Sequence, residues 1–259
     1  MPKILQTAER VSHQDLSDNY VFQRSVLAYH KAAEIISGRI MEIGTGSGYG
    51  IEIISEKADE FVTIDKHNER FRLAEVEGQN VKFVQMKVPP FTGIEDESFD
   101  YVISFQVIEH IKKDKELVKE IARVLKPGGK FVVTTPNKKM SLTRNPWHVR
   151  EYFVDELEAL LSNDFKKVEK LGVFGNEKIM EYYRKNKEGV KKITKYDFLN
   201  LQYNLPRIFL QIPYDILNRI NRKKLLKKNT NLVSDISMDD YYLAPAGDEC
   251  FDLFYIAEK

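Results

Sequence analysis

An open α/β fold is what this sequence predicts, a mainly parallel sheet with helices on both faces, and three observations carry it. From Arg39 to Phe174, apolar runs of strand length alternate with segments whose apolar residues recur at helical spacing. The first run, Ile40-Met41-Glu42-Ile43, passes into a bend rich in glycine, Gly44-Thr45-Gly46-Ser47-Gly48-Tyr49-Gly50, and then into the helix-like Ile51-Glu52-Ile53-Ile54. About twenty residues past Gly44 a second run, Phe61-Val62-Thr63-Ile64, ends in Asp65, the spacing at which an acidic residue takes ribose hydroxyls in a strand–helix–strand unit.

The bend implies a small polar ligand. Glycine lets a ligand approach the backbone closely, and amides at a helix start favour an electron-rich partner. A dinucleotide fingerprint begun at Gly44 would require glycine at position 49, where the chain has Tyr49, and this disfavours a nicotinamide. The two acceptor oxygens of Asp65 suit a vicinal diol. Its other reading is a solvated aspartate at a strand end.

The remaining elements follow in order. From Asp18 to Ser37 apolar residues recur at mostly helical spacing, and Ser37-Gly38 ends that leading helix. His67 to Glu77 reads as a helix stopped by Gly78, and Val81 to Met86 alternates as a third strand. An acidic loop, Glu95-Asp96-Glu97-Ser98, precedes the fourth strand, Phe99 to Phe105. Lys112 to Leu125 is a helix with Leu117, Val118, Ile121 and Val124 on its buried side, closed by Lys126-Pro127-Gly128-Gly129. Lys130 to Thr134 is a fifth strand, and Thr135-Pro136-Asn137 opens a loop at its carboxyl end, the edge of an open α/β sheet where ligands bind. A short helix over Asp155 to Leu161 and a sixth strand over Lys167 to Phe174 complete this stretch.

Taken together, Glu42-x-Gly44-x-Gly46-x-Gly48, Asp65, Phe99-Asp100, Glu109-His110 and the run Val124 to Lys130 resemble the class I S-adenosylmethionine-dependent methyltransferases, in their small-molecule, methyltransferase type 11-like branch. The resemblance covers about residues 38 to 175 and a C-terminal strand over Cys250 to Ala257. It implies a Rossmann-like, seven-stranded sheet, mainly parallel, with one antiparallel strand pairing with the sixth. It also implies S-adenosyl-L-methionine as cofactor. Glu42, Gly44, Thr45, Gly46 and Gly48 would hold the methionine portion, Asp65 with adjoining Lys66 the ribose, and Phe105-Gln106 the reacting side. Tyr20 and Arg24 on the leading helix would lie near the methionine end; otherwise Tyr20 is core and Arg24 surface. The family usually has an acidic residue after the third strand to receive the adenine amino group. Here Met86-Lys87 stand at that point, and Lys has no acceptor, so a backbone carbonyl or packing of Met86 would serve instead.

No Asn/Asp-Pro-Pro-aromatic tetrad follows the fourth strand, which argues against base or glutamine methylation; the chain has Phe105-Gln106-Val107-Ile108. The segment Asn145-Pro146-Trp147-His148-Val149-Arg150-Glu151-Tyr152 resembles one found in methyltransferases acting on quinones, sugars and lipid precursors. His110 and His148 are therefore the candidate bases for a hydroxyl acceptor, since imidazole titrates near neutrality. The alternative for each is a structural hydrogen bond. No metal site is expected.

About seventy residues separate the sixth strand from the last, too many for a structureless loop. The chain therefore divides into an N-terminal helical cap (1–37), a core (38–175 and 247–259) and a mainly helical insertion or lid (176–246). Between Glu177 and Lys228 the insertion carries 14 Lys/Arg against 5 Asp/Glu, whereas the whole chain has a formal net charge of +1. Its apolar run Ile208 to Ile220, followed by Arg222-Lys223-Lys224-Leu225-Leu226-Lys227-Lys228, suits an anionic membrane surface through residues 205–228 or a phosphate-bearing acceptor. A helical cap packed on the core or on a second subunit, as in a homodimer, is the alternative.

The balanced charge gives no reason to expect nucleic acid. The single Cys250 excludes an internal disulfide, and neither a signal pattern nor a membrane-length apolar run is visible, so a cytoplasmic location is expected. Three functions follow: an O- or C-methyltransferase for a small or lipid-linked metabolite, a catalytically silent cofactor-binding module acting through its basic insertion, and, disfavoured by Tyr49, a nicotinamide oxidoreductase.

Overall fold

A computed structural model describes residues 11, 14–67 and 80–259. Its sheet has eight strands in the order β3-β2-β1-β4-β5-β8-β6-β7. These are β1 (Arg39–Ile43), β2 (Glu60–Asp65), β3 (Val81–Gln85), β4 (Phe99–Phe105), β5 (Leu125–Pro136), β6 (Lys167–Gly175), β7 (Tyr241–Pro245) and β8 (Asp252–Glu258). Strands β1 to β5 pair in parallel, whereas β8 runs antiparallel to both β5 and β6. The sheet thus has the predicted mainly parallel character and one strand more than expected. The extra one is β7, which belongs to the insertion and covers the outer edge of β6 in antiparallel register, Val173 opposite Leu243. Sequence reading passed over it because a five-residue run ending in Pro245 carries little periodic signal.

Two apolar layers sandwich the sheet, and strand alternation assigns residues to them. Met41, Ile43, Val102, Phe131 and Val133 face one layer, with α3 (Asp114–Val124) and α4 (Val154–Leu161) packed on it. Ile40, Phe61, Ile103 and Val132 face the other, against α1 (Asn19–Ala33) and α2 (Ile51–Ser55). The same alternation turns Glu42 toward the α1 side. Lys126 to Gly129 is a bulge within β5, where the pairing with β4 jumps from Phe99–Leu125 to Tyr101–Lys130. The helix expected from His67 to Glu77 lies outside the described residues from position 68 onward.

The insertion folds as α5 (Glu177–Thr194), α6 (Leu201–Asn204), α7 (Arg207–Lys228) and α8 (Thr230–Ser234) before β7. It is pinned at both ends of α7. Arg219 and Arg222 each place Nη1 2.9 Å from the fully buried Asp18, just ahead of α1. Trp147 donates its indole N–H to Asp215 at 3.0 Å, and Arg207 donates to the His148 carbonyl at 2.8 Å. The lid is therefore tied both to the leading helix and to the loop after β5.

Candidate active site

Glu42 is the centre of the glycine bend. Its carboxylate, 1% exposed, accepts from the Tyr29 hydroxyl at 2.7 Å on one oxygen and from the Thr63 hydroxyl on the other. Thr63 has one hydrogen to give, so the short Thr45–Thr63 contact of 2.5 Å must have Thr45 as donor. A directed chain, Thr45 to Thr63 to Glu42, fixes the bend against β2. Burial pushes the Glu42 carboxyl up to about 7, with the like charge of Asp65 adding to the rise and the two hydroxyls opposing it. A buried anion in that condition fits a cationic ligand group.

Close packing explains two of the glycines. At Gly44 (φ +92°) a Cβ would lie 2.4 Å from Val107, the residue that leads out of β4. At Gly50 it would lie 1.9 Å from the Tyr29 ring, which the Glu42 hydrogen bond holds in place. Space is open above Gly46, where a Cβ would meet nothing nearer than 4.0 Å, so the backbone there can be approached by a ligand. The helix that follows, α2, has only five residues, so the bend's own amides, rather than a helix dipole, are the donors offered.

Asp65 ends β2 across from this bend, accepting from the Gly46 amide at 3.1 Å and from the His67 amide at 2.8 Å. Each carboxylate oxygen retains acceptor capacity for a diol. Lys66 and Lys87 are exposed, and Met86 is half-buried with its amide on the Asp65 carbonyl at 2.9 Å. Phe105 packs edge-on to Tyr29, with centroids 4.8 Å apart. Gln106 takes a left-handed backbone (φ +57°), unusual for a residue with a side chain, and its amide N–H bonds the Thr134 carbonyl at 3.0 Å. That geometry ends β4 at the sheet's carboxyl edge.

Tyr20 and Arg24 line a second feature, a cavity of about 520 Å³ between lid and core. Its walls are α1, the loop after β5, α5 and α7. Tyr20 stacks on Tyr182 with centroids 4.2 Å apart, and Arg24 pairs with buried Asp252 at 2.8 Å. Burial raises the Asp252 carboxyl against the pull of Arg24 and of the Gln106 side-chain amide. The Arg24–Asp252 pair thus links α1, at the cavity wall, to the start of β8.

The two candidate histidines come together, their rings 5.0 Å apart at 80°. His110 places Nδ1 3.1 Å from the Trp147 carbonyl, which only accepts, so this nitrogen carries the proton. His148 places Nδ1 2.7 Å from the Glu151 carboxylate, and its Nε2 lies 2.9 Å from the Asn145 amide nitrogen. With Nδ1 as donor to Glu151, Nε2 is the basic nitrogen. Of the two histidines, His148 is the one in the cavity wall, together with Glu151. Sequence reading did not single out Glu151 as a partner of His148, although its place three residues beyond was a usable signal. Glu109, His110 and His148 each bring one donor atom to within 4.8 Å of the others. Within this group Glu109 also accepts from the Thr135 hydroxyl at 3.0 Å.

A parallel α/β sheet with a glycine bend after β1, an acidic residue closing β2 and a covered cavity at the carboxyl edge defines a class I methyltransferase fold. Comparison with known proteins agrees. Residues 41–133 match the family model described as Methyltransferase domain. A probable S-adenosylmethionine-dependent methyltransferase of Mycolicibacterium smegmatis is 29% identical over 269 residues, covering 98% of this chain and 94% of the relative. Another so named, from Mycobacterium tuberculosis, is 35% identical over 155 residues, covering 56% of this chain and 54% of its own. The YcgJ protein of Bacillus subtilis shares the fold with a TM-score of 0.52 at 17% identity, covering 92% of this chain and 98% of its own. Residues 41–133 thus match a methyltransferase domain, nearly the whole chain is similar to S-adenosylmethionine-dependent methyltransferases, and S-adenosylmethionine is its cofactor.

Proposed function

We propose that this chain methylates an oxygen of a small or lipid-linked metabolite, of quinone, sugar or cell-envelope precursor type, seated in the lid cavity with His148 as general base. The observation that carries the reading is His148 in the cavity wall with its Nδ1 on Glu151. A carboxylate on Nδ1 fixes the tautomer, orients Nε2 and stabilises the imidazolium formed when Nε2 takes a proton. The Asn145 amide now at Nε2 would give way to an acceptor hydroxyl.

The residues around the glycine bend fit the cofactor. Glu42 would face the cationic methionine end, the amides of the bend its polar groups, and Asp65 the ribose diol. Bound S-adenosylmethionine supplies a methyl group already activated on a sulfonium. The protein's share is alignment and exclusion of water. The lid, tied down by Trp147–Asp215 and Arg207–His148, closes the acceptor side, and the buried Arg24–Asp252 pair stands on the α1 side of the cavity. Tyr49, packed 5.3 Å from both Phe22 and Tyr29, takes up the room that a nicotinamide site gives to its third glycine.

The test is production of S-adenosylhomocysteine over a panel of hydroxylated acceptors by the wild type and by His148→Ala. Acceptor-dependent turnover that the substitution abolishes supports the reading. Cofactor binding without turnover on any acceptor favours the silent module instead. Turnover indifferent to His148 would move the reading to a carbon acceptor needing no base.

A further inference from the structure

Twelve of the 17 exposed large hydrophobic residues among the described residues fall between Tyr196 and Ile220 of the lid. Phe198 is 85% exposed, Ile208 71% and Phe209 68%. Along α7, Ile208, Phe209, Ile212, Ile216 and Ile220 recur at helical spacing as one stripe facing away from the core, and Lys223 and Lys227 prolong it. A concentration of this kind marks an interaction surface rather than scattered exposure.

Charge says what kind. From Lys191 to Lys228 the sequence holds ten Lys/Arg and two acidic residues. Both acids are spent internally: Asp197 accepts from the Leu201 and Gln202 amides at 2.6 and 3.1 Å, and Asp215 accepts from Trp147 at 3.0 Å. Within 191–228 the exposed charges, Lys191, Lys192, Lys195, Lys223, Lys224, Lys227 and Lys228, are all positive. A two-fold contact through this face would set those lysines against their own copies, which opposes a dimer there. No helix among the described residues is long and apolar enough to cross a membrane. An apolar stripe rimmed by lysine on a non-spanning helix suits the interface of an anionic bilayer.

We infer that the lid docks on an anionic lipid surface through residues 196–228, with the acceptor cavity opening from that surface. Tyr196, Leu201 and Leu217 are both exposed in the patch and part of the cavity wall, so the two are continuous. An amphiphilic acceptor could enter without its apolar portion crossing water. This second half deepens the proposed function and rests on it; the docking itself does not.

The experiment is co-sedimentation of the full chain, without cofactor, with phosphatidylcholine vesicles and with vesicles one-third phosphatidylserine. Two variants accompany it, Phe209→Asp/Ile212→Asp and Lys223→Glu/Lys227→Glu; none of these four residues lines the cavity. Binding to the anionic vesicles that weakens tenfold or more in each variant, and falls with salt, is expected. Unchanged S-adenosylmethionine binding by the variants would show that they fold. Binding to neither vesicle, equal binding to both, or a dimer in vesicle-free solution that the variants dissolve would overturn the inference. Because no turnover is read, failure here leaves the transfer reading standing, and failure of transfer leaves docking standing.

Discussion

Replacing Glu42 by Gln should flatten a pH dependence that the fold builds into the empty protein. The Glu42 carboxyl lies at about 7 in the folded chain against 4.5 ordinarily, raised first by burial. Between those values the folded state keeps a proton that the unfolded state releases, so stability is full below about 4.5 and is lost as pH rises through 7. At about 1.4 kcal/mol per pH unit the interval comes to about 3 kcal/mol, an order-of-magnitude figure equal to roughly 6–12 °C in melting temperature for a chain of this size. Thermal melting from pH 5 to 8 measures it. The wild type should lose stability across that range relative to Glu42→Gln, whose amide has nothing to titrate. Parallel profiles for the two proteins would refute the argument that burial raises this carboxyl. S-adenosylmethionine should reverse part of the trend, since a cation beside Glu42 favours the ionised form, so its affinity should rise from pH 6 to 8 in the wild type and not in the variant.

Other expectations follow from the same geometry. Asp65→Ala should weaken cofactor binding about tenfold or more by titration calorimetry, through loss of charged-acceptor hydrogen bonds of about 1.5–3 kcal/mol; unchanged affinity would remove Asp65 from the site. His148→Ala should lower kcat by about 10²-fold or more, and Glu151→Gln should lower it with little change in acceptor KM; a loss confined to KM would make the pair a binding element. Gly50→Ala should destabilise by about 1–3 kcal/mol in denaturant titration, because the new methyl meets a Tyr29 ring that cannot withdraw from Glu42; a neutral effect would mean that the ring is free to move.

Periodicity and turn chemistry made the core legible from sequence. Strands β1 to β6 and helices α1, α3 and α4 lie where apolar spacing and the Gly or Pro breaks put them, because a strand or helix that buries one face must carry its pattern locally. The glycine bend and the strand-end acid were legible for the same reason, since Gly44 to Gly50 and Asp65 follow the first two strands directly. What the sequence withheld came from pairings distant along the chain. β7 exists because β6 has an edge to satisfy some seventy residues earlier. Glu151 meets His148 in the cavity wall because the loop after β5 carries both to the space beneath α7. Burial among residues distant in sequence raises the Glu42 carboxyl, and the hydroxyls of Tyr29 and Thr63, equally far off along the chain, oppose that rise. Periodicity likewise marked Ile208 to Ile220 as apolar without saying whether that face is inside or out. The sequence by itself determined the mainly parallel α/β core and its glycine bend. Tertiary structure alone decided the buried charge, the histidine in the cavity and the outward face of the lid, because burial and electrostatics depend on neighbours brought together by folding.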